Sequence, residues 1–220
     1  MRTLLRSFGT ILLIGGTATA LGYFLLHRPL YRKHPGMPAK TVAGIPGAER
    51  PGKELEEKLH TVSARLQAFS KTKGYNSRVA FLVDMSIPSG RNRFFVYNMQ
   101  KDSIETTGLV THGYGSDKSG VEFSNVPGSY CTSLGRYKVG GSYNGRFGLA
   151  FKLYGLDKTN DKAFERFVVL HSHSCVPGSE VFPEQICESQ GCPTVAPAFL
   201  QELKTYIEAA GKPILLYIYQ

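Results

Sequence analysis

The strongest constraint on the fold is a series of short apolar runs that begins after Gly74, with glycine and polar residues between them. Runs of this length, rich in valine, isoleucine, tyrosine and phenylalanine, are typical of β-strands. The pattern predicts strands at Val79–Asp84, Phe94–Asn98, Thr106–Thr111, Gly135–Val139, Leu149–Tyr154, Arg166–His171 and Ile214–Tyr219. Because no helices alternate with these strands, we expect a mostly β domain whose mixed or antiparallel sheet forms a sandwich or a barrel.

Two helices are expected to pack on this sheet. Within residues 53–77, apolar residues recur at spacings of three and four, which predicts an amphipathic helical lead-in. They are Leu55, Leu59, Val62, Leu66 and Phe69. A second helix is predicted at Pro197–Ala210, where proline suits the first helical turn. The apolar stripe of the first helix is predicted to dock on the domain core, because it is too short to favour a coiled coil with a partner.

The N-terminal segment, residues 1–27, has the composition of a membrane or signal segment. Residues 8–26 carry no charge and are flanked on both sides by basic residues. This stretch nearly reaches the roughly 20 residues that span a bilayer, which favours a retained anchor. The small residues Ala18, Thr19 and Ala20 instead resemble a cleavage site, which favours a removable signal peptide. Either alternative predicts that the rest of the chain is exported to the periplasm or cell envelope.

A linker and a catalytic domain are predicted to follow. Residues 28–52 are rich in proline and glycine, as expected of a tether, and the domain is assigned to residues 78–220. The net charge is +9, but residues 1–50 hold seven Lys and Arg against Glu49 alone, whereas the rest of the chain is nearly balanced. This distribution is typical of basic residues beside a membrane segment and argues against a nucleic-acid-binding face.

Two reactive side chains lie at a characteristic spacing near the C-terminal end. His171 ends an apolar run, and Ser189-Gln190-Gly191-Cys192 follows eighteen residues after that histidine. A thiol is a strong nucleophile only as thiolate, and a neighbouring imidazole is the usual group that takes its proton. Gly191 leaves room for backbone N–H donors to approach a substrate oxyanion. The pair predicts a cysteine acyltransferase.

Several segments together resemble the murein L,D-transpeptidase catalytic domain family, a branch of the YkuD-type L,D-transpeptidases. The resemblance covers roughly residues 78–220. It rests on His112-Gly113-Tyr114-Gly115-Ser116, Phe123-Ser124-Asn125, Gly128-Ser129, Ser133-Leu134-Gly135, Arg166 through His171, and Ser189-Gln190-Gly191-Cys192-Pro193. It implies attack of the cysteine on a peptidoglycan tetrapeptide stem, a thioester intermediate, and transfer to an amine of a second stem, giving a 3→3 cross-link. Hydrolysis of the same thioester would give L,D-carboxypeptidase activity.

The resemblance also implies roles for individual residues. Cys192 would be the nucleophile and His171 the base, with the backbone carbonyl of Ser172 orienting the imidazole. Gly191 and the Cys192 amide would help to form the oxyanion hole. The chain departs from the wider family at Gln190, where histidine is usual, and at Thr194, where arginine is usual.

Four further residues are candidates for the same site. His173 is the rival base, because a strand that continues past His171 points residues 171 and 173 to one face. Ser189, His112, Arg166 and His173 are candidate substrate-binding residues, with Arg166 suited to a stem-peptide carboxylate. The alternatives are a glycine turn for His112 and a surface ion pair for Arg166.

The remaining cysteines leave two alternatives open. Cys175 and Cys187 bracket a loop beside the site and would form a disulfide in an oxidising compartment. Alternatively, Cys131, Cys175 and Cys187 are unpaired and mostly buried thiols.

The competing functional hypothesis is a zinc-stabilised or catalytically silent murein-binding module. His171, His173 and the three cysteines from Cys175 to Cys192 are possible zinc ligands, but their spacing fits no common zinc pattern, so no metal site is assigned. The sequence has no phosphate-binding loop, paired catalytic carboxylates or dinucleotide fingerprint, so no cofactor is indicated. The expected partners are peptidoglycan stem peptides and, through the N-terminal segment, the membrane; no protein partner is indicated.

Overall fold

The computed structural model describes residues 52–115 and 121–220, which fall within one compact unit, Glu49–Gln220. The predicted signal or anchor segment lies outside these residues, as does the linker except for Gly52. Within the described ranges, no helix combines the length and the apolar composition that a membrane span requires. The predicted helical lead-in forms helix α1 at Lys53–Lys73, which ends at Gly74 in the left-handed conformation.

Eight strands form one mixed sheet. They are β1 (Val79–Asp84), β2 (Phe94–Asn98), β3 (Ser103–Gly108), β4 (Gly135–Gly145), β5 (Gly148–Gly155), β6 (Val169–Ser172), β7 (Thr194–Val195) and β8 (Leu215–Tyr219), with helix α2 (Pro197–Ala209) between the last two strands. The strand order is β3-β2-β1-β8-β4-β5-β6-β7. The pairs β1–β8 and β6–β7 are parallel and the other neighbours are antiparallel.

The sheet curls so that its two edges approach each other. The segment after β3 forms an isolated bridge between Val110 and Val195 of the opposite edge strand, β7. Beside this bridge, the N–H of Thr111 donates to the carbonyl of Thr194 at 2.9 Å. The mostly β prediction is confirmed, but the described residues form a single curled sheet and not the two sheets of a sandwich.

Both faces of the sheet are covered, which explains the continuous apolar runs of the central strands. On one face, Leu59 and Leu66 of α1 pack with alternate residues of β1, including Leu82. On the other face, Leu200 and Leu203 of α2 pack in a second cluster that includes β1, β5 and β6. All six residues of β1 are buried because the two helices take opposite sets of its side chains.

Two predicted strands lie at shifted positions, and one short strand was not predicted. The third strand lies at Ser103–Gly108 and not at Thr106–Thr111, because its hairpin with β2 turns at Asp102, whose φ is 53°. The strand predicted at Arg166–His171 begins only at Val169, because Phe167 has a φ of 55°, which interrupts an extended conformation. The two-residue strand β7 was not predicted, since a run so short carries no periodic signal.

We predict that the ion pair of Arg136 with Asp157 makes stability depend on pH. Hydrogen bonds from Arg136 hold the pKa of Asp157 below its usual range. Its contribution is therefore present above the pKa of about 3.9 in the unfolded chain, and it is lost as pH falls through the lower folded value. In Asp157→Asn, urea unfolding should show a loss of roughly 1 kcal/mol at pH 7.

Between about pH 5 and pH 2, the free energy of unfolding should fall less steeply in this variant than in the wild type. Asp161→Asn is the control, because it removes an exposed carboxylate from the same loop between β5 and β6. An equal change of slope in both variants would contradict the assignment.

Candidate active site

A tight turn from Ser189 to Cys192 presents the thiol. The Ser189 hydroxyl donates to the carbonyl of Cys192 at 2.7 Å and accepts from the N–H of Gly191 at 3.1 Å. Gly191 has a φ of 104°, and a Cβ there would lie 2.6 Å from the carbonyl oxygen of Cys131. The turn therefore requires glycine at this position, as expected for a backbone that passes close to another chain segment.

The thiol of Cys192 lies against the backbone that leads into β6. Its sulfur accepts from the N–H of Val169 at 3.5 Å and lies 3.8 Å from the carbonyl oxygen of Phe167. The backbone of Phe167 has a φ of 55°, an uncommon value for a residue other than glycine. Its side chain is 84% exposed. The strained residue thus aims its carbonyl at the sulfur and its ring into solvent.

His171 is buried in β6 and has a partner at each ring nitrogen. Nδ1 lies 3.1 Å from the carbonyl oxygen of Ser172, and Nε2 lies 3.0 Å from Oγ1 of Thr194. Because a carbonyl only accepts, Nδ1 carries the hydrogen, and Nε2 is the basic nitrogen of the neutral ring. The Phe147 ring stacks on the imidazole with centroids 4.9 Å apart.

The register of β6 and β7 places the two reactive groups at one sheet edge. His171 is paired with Thr194 in this parallel ladder, so Cys192, two residues earlier, lies beside Val169. Among the described residues, however, no hydrogen bond joins the Cys192 sulfur to His171 or to His173. The rival base His173 accepts from the N–H of Cys175 at 3.2 Å, and its ring also contacts Phe147.

Burial favours the neutral forms of both reactive groups. It raises the pKa of the Cys192 thiol, although the Val169 N–H and the charge of Arg166 act in the opposite direction. Burial also lowers the pKa of His171, against the opposing effect of the Ser172 carbonyl. The resting site is therefore a thiol beside a neutral imidazole.

The candidate substrate-binding residues Arg166 and His112 make internal contacts. The Arg166 guanidinium donates to the carbonyls of Ser124 and Cys131, at 2.9 and 2.7 Å, and it forms no ion pair among the described residues. His112 is buried, with Nδ1 3.0 Å from the guanidinium of Arg93. Both residues thus brace the loops beneath the Gly191 turn. Ser189 also faces inward, with its hydroxyl oxygen 3.2 Å from the carbonyl oxygen of His112 and 2.7 Å from that of Cys192.

Cys175 and Cys187 form a disulfide, the first of the two predicted alternatives, while Cys131 and Cys192 are free. The pairing removes two of the five candidate zinc ligands, because disulfide sulfurs do not bind as thiolates. Within residues 52–115 and 121–220, no group of three or more His, Cys, Asp or Glu side chains has an arrangement that could hold a metal ion.

Comparison with known families decides the identity of the domain. The L,D-transpeptidase catalytic domain family matches residues 53–219, well over half of the chain. The chain belongs to this family. Membership gives the domain a function related to peptidoglycan. The matched range also includes α1, whereas the resemblance seen in the sequence covered roughly residues 78–220. A search of curated proteins gave no match.

Several solved structures resemble this L,D-transpeptidase family domain at low sequence identity. The helical cell shape determining protein Pgp2 from Campylobacter jejuni is 14% identical, covers 64% of this chain and 47% of its own, and has a TM-score of 0.43. L,D-transpeptidase 1 from Mycobacterium tuberculosis is 11% identical, with 64% and 60% covered and a TM-score of 0.32. The carbamoyl enzyme of Ldtfm with avibactam is 13% identical, with 65% and 49% covered and a TM-score of 0.40. The chain spans about half the length of both the Ldtfm and the Pgp2 chains.

Three residues at the site of this L,D-transpeptidase family domain were given no role from the sequence. Thr194 contacts His171, Phe147 covers it, and Arg93 holds His112. Thr194 could have been found, because it follows Cys192 by two residues and side chains two apart share a face of an extended segment. No sequence signal connects Phe147 or Arg93 to residues that are distant along the chain.

We predict that Cys192 alkylates slowly at neutral pH. Its raised pKa leaves little thiolate, so its rate with iodoacetamide should rise toward alkaline pH with a midpoint above the value of about 8.5 for free cysteine. The measurement is the mass of the modified protein over time, with Cys192→Ala as the control. A midpoint near pH 5 would instead indicate a preformed thiolate–imidazolium pair.

Proposed function

We propose that this chain is a cysteine-dependent L,D-transpeptidase that acts on peptidoglycan stem peptides and forms 3→3 cross-links through a thioester on Cys192. The observation that carries the proposal is the juxtaposition of Cys192 and His171 at the β6–β7 edge of a domain of this family. The basic Nε2 of His171 belongs to a ring whose other nitrogen is fixed by the Ser172 carbonyl. A nucleophile, a base and a group that orients the base are thus present.

In the first half of the reaction, the thiol proton passes to Nε2 of His171 as the sulfur attacks the carbonyl carbon of the stem amide. The oxyanion of the tetrahedral intermediate accepts a hydrogen bond from the N–H of Cys192. This N–H has no partner among the described residues, whereas that of Gly191 is held by Ser189. The C–N bond then breaks, the leaving amine takes the proton from His171, and the thioester remains.

In the second half, an amine of another stem attacks the thioester and gives a proton to His171. The C–S bond breaks, the sulfur regains its proton, and a new amide links the two stems. Water in place of the amine gives L,D-carboxypeptidase activity through the same steps. His171 alternates between base and acid, and because burial lowers its pKa, the ring begins the cycle in the neutral form that acts as a base.

The proposal requires the thiol to move toward Nε2 when substrate binds. In the resting structure, the sulfur contacts Val169 and Phe167, and Nε2 contacts Thr194. Catalytic hydrogen bonds are commonly loose before substrate binds and tighten in the complex. Rotation of the Cys192 side chain away from the Phe167 carbonyl would supply this change.

We further propose that the enzyme works outside the cytoplasm, with residues 1–27 as the export signal or membrane anchor. Its proposed substrate is a polymer of the cell envelope. The disulfide between Cys175 and Cys187 supports this location, because such bonds persist in oxidising compartments.

Acylation by a carbapenem tests the nucleophile. The strained β-lactam carbonyl replaces the stem amide, so intact mass should show one adduct on the wild type and none on Cys192→Ala. Cys131→Ala is the matched control and should retain the adduct, because this buried thiol donates to the Ser129 carbonyl and has no hydrogen bond to Cys192 or His171 among the described residues. Absence of an adduct on the folded wild type would refute an activated Cys192.

Replacing each histidine separately tests the base. We expect His171→Ala to lower the acylation rate by about 10² to 10⁴-fold, as is typical when a general base is lost. His173→Ala should retain most of the rate, because Nδ1 of His173 is engaged with the Cys175 backbone. The reverse order would assign the base to His173. Muropeptide analysis with the wild type and Cys192→Ala then separates cross-linking from hydrolysis.

A further inference from the structure

The threonine that faces His171 has contacts that extend beyond strand pairing. Thr194 is 3% exposed and its Oγ1 lies 3.0 Å from Nε2 of His171. The same oxygen lies 3.4 Å from the carbonyl oxygen of Cys192. The hydroxyl therefore has one partner that only accepts and one that can either accept or donate.

This pair of partners lets the hydroxyl serve both forms of the imidazole. Toward neutral His171, the hydroxyl donates its hydrogen to Nε2. Toward the imidazolium, Oγ1 accepts from Nε2–H, and its own hydrogen turns to the Cys192 carbonyl. We propose that Thr194 is a positioning residue that partners Nε2 of His171 in both protonation states of the proposed reaction.

The backbone fixes Thr194 for this role. Its N–H lies 3.2 Å from Oγ1 of Thr111, and its carbonyl accepts from the N–H of Thr111 at 2.9 Å. The parallel ladder pairs it with His171. These bonds hold the residue from both sides, so Oγ1 stays in place when the proton on Nε2 is gained or lost.

The surroundings of the imidazole make this partner necessary. Its other contacts are the Ser172 carbonyl and the Phe147 ring, and the nearby titratable or charged groups are His173, Cys192 and, beside Phe147, Arg146. None of these groups is hydrogen-bonded to Nε2 among the described residues. Without the hydroxyl, a protonated Nε2 would be buried without an acceptor, which costs more than loss of a neutral hydrogen bond.

Thr194→Val is the test, because it replaces the hydroxyl by a methyl group of similar size. We expect the pKa of His171, measured by NMR titration of its imidazole signals in the full chain, to fall by roughly half a pH unit to one unit. Thr194→Ser keeps the hydroxyl and should restore the wild-type value. If Thr194→Val does not fold, Thr194→Ala is measured in its place, and the same fall in the pKa of His171 is expected.

Thr132→Val is the matched control. Thr132 is also a buried threonine, but its Oγ1 accepts from the N–H of Gly113 at 2.9 Å and has no hydrogen bond to His171 or Thr194 among the described residues. Loss of its hydroxyl should therefore leave the pKa of His171 unchanged. An unchanged pKa in Thr194→Val, or an equal shift in Thr132→Val, would overturn the proposal.

Carbapenem acylation supplies the second readout and rests on the proposed function. In Thr194→Val, the acid limb of the rate should move to lower pH and the plateau should fall, because the protonated base is less stable. A lower rate with an unmoved pH profile would indicate a purely structural role and contradict the proposal. If the wild type is not acylated, the proposed function fails, while the NMR titration still decides the role of Thr194.

Discussion

The site depends on the parallel pairing of β6 with β7. This short ladder sets His171 opposite Thr194 and, through the chain direction, brings Cys192 beside Val169. A sheet edge would normally leave such a strand with one partner, but the bridge from Val110 holds β7 from its other side. The curl of the sheet thus supports the geometry of the site, because it supplies the second partner of the strand that follows the thiol.

The electrostatics of the resting site follow from this geometry. The ladder buries His171 and encloses the sulfur, and burial favours the uncharged form of each. In the proposed mechanism, such a site would form its thiolate during the reaction and not before it. The mechanism would therefore need a base that is neutral at the working pH, and contacts that tolerate a positive charge on that base while the intermediate exists.

Much of the fold could be predicted because buried strands and amphipathic helices have strong local patterns. The strands Val79–Asp84 and Phe94–Asn98 were predicted with the bounds that the structure has. The errors lie where one residue has a special conformation, as at Phe167, or where pairing is set by distant residues, as at Thr194–Val195. At the site, the spacing of His171 and Cys192 indicated one centre, but no local pattern could show which atoms their side chains contact.

His112 illustrates how a residue of a recognised motif can form part of the support of a site. Its carbonyl accepts from the N–H of Ser189 at 2.8 Å, while Nδ1 of its ring accepts from Arg93. Arg93 is buried and also donates to the Val110 carbonyl, at the segment that bridges to β7. Burial of a guanidinium costs free energy unless its N–H donors have acceptors, so loss of either the Val110 or the His112 acceptor would destabilise the fold. Arg93 and His112 thus connect the two supports of the site, the edge strand and the turn that presents Cys192, and the motif residue contributes by fixing their separation.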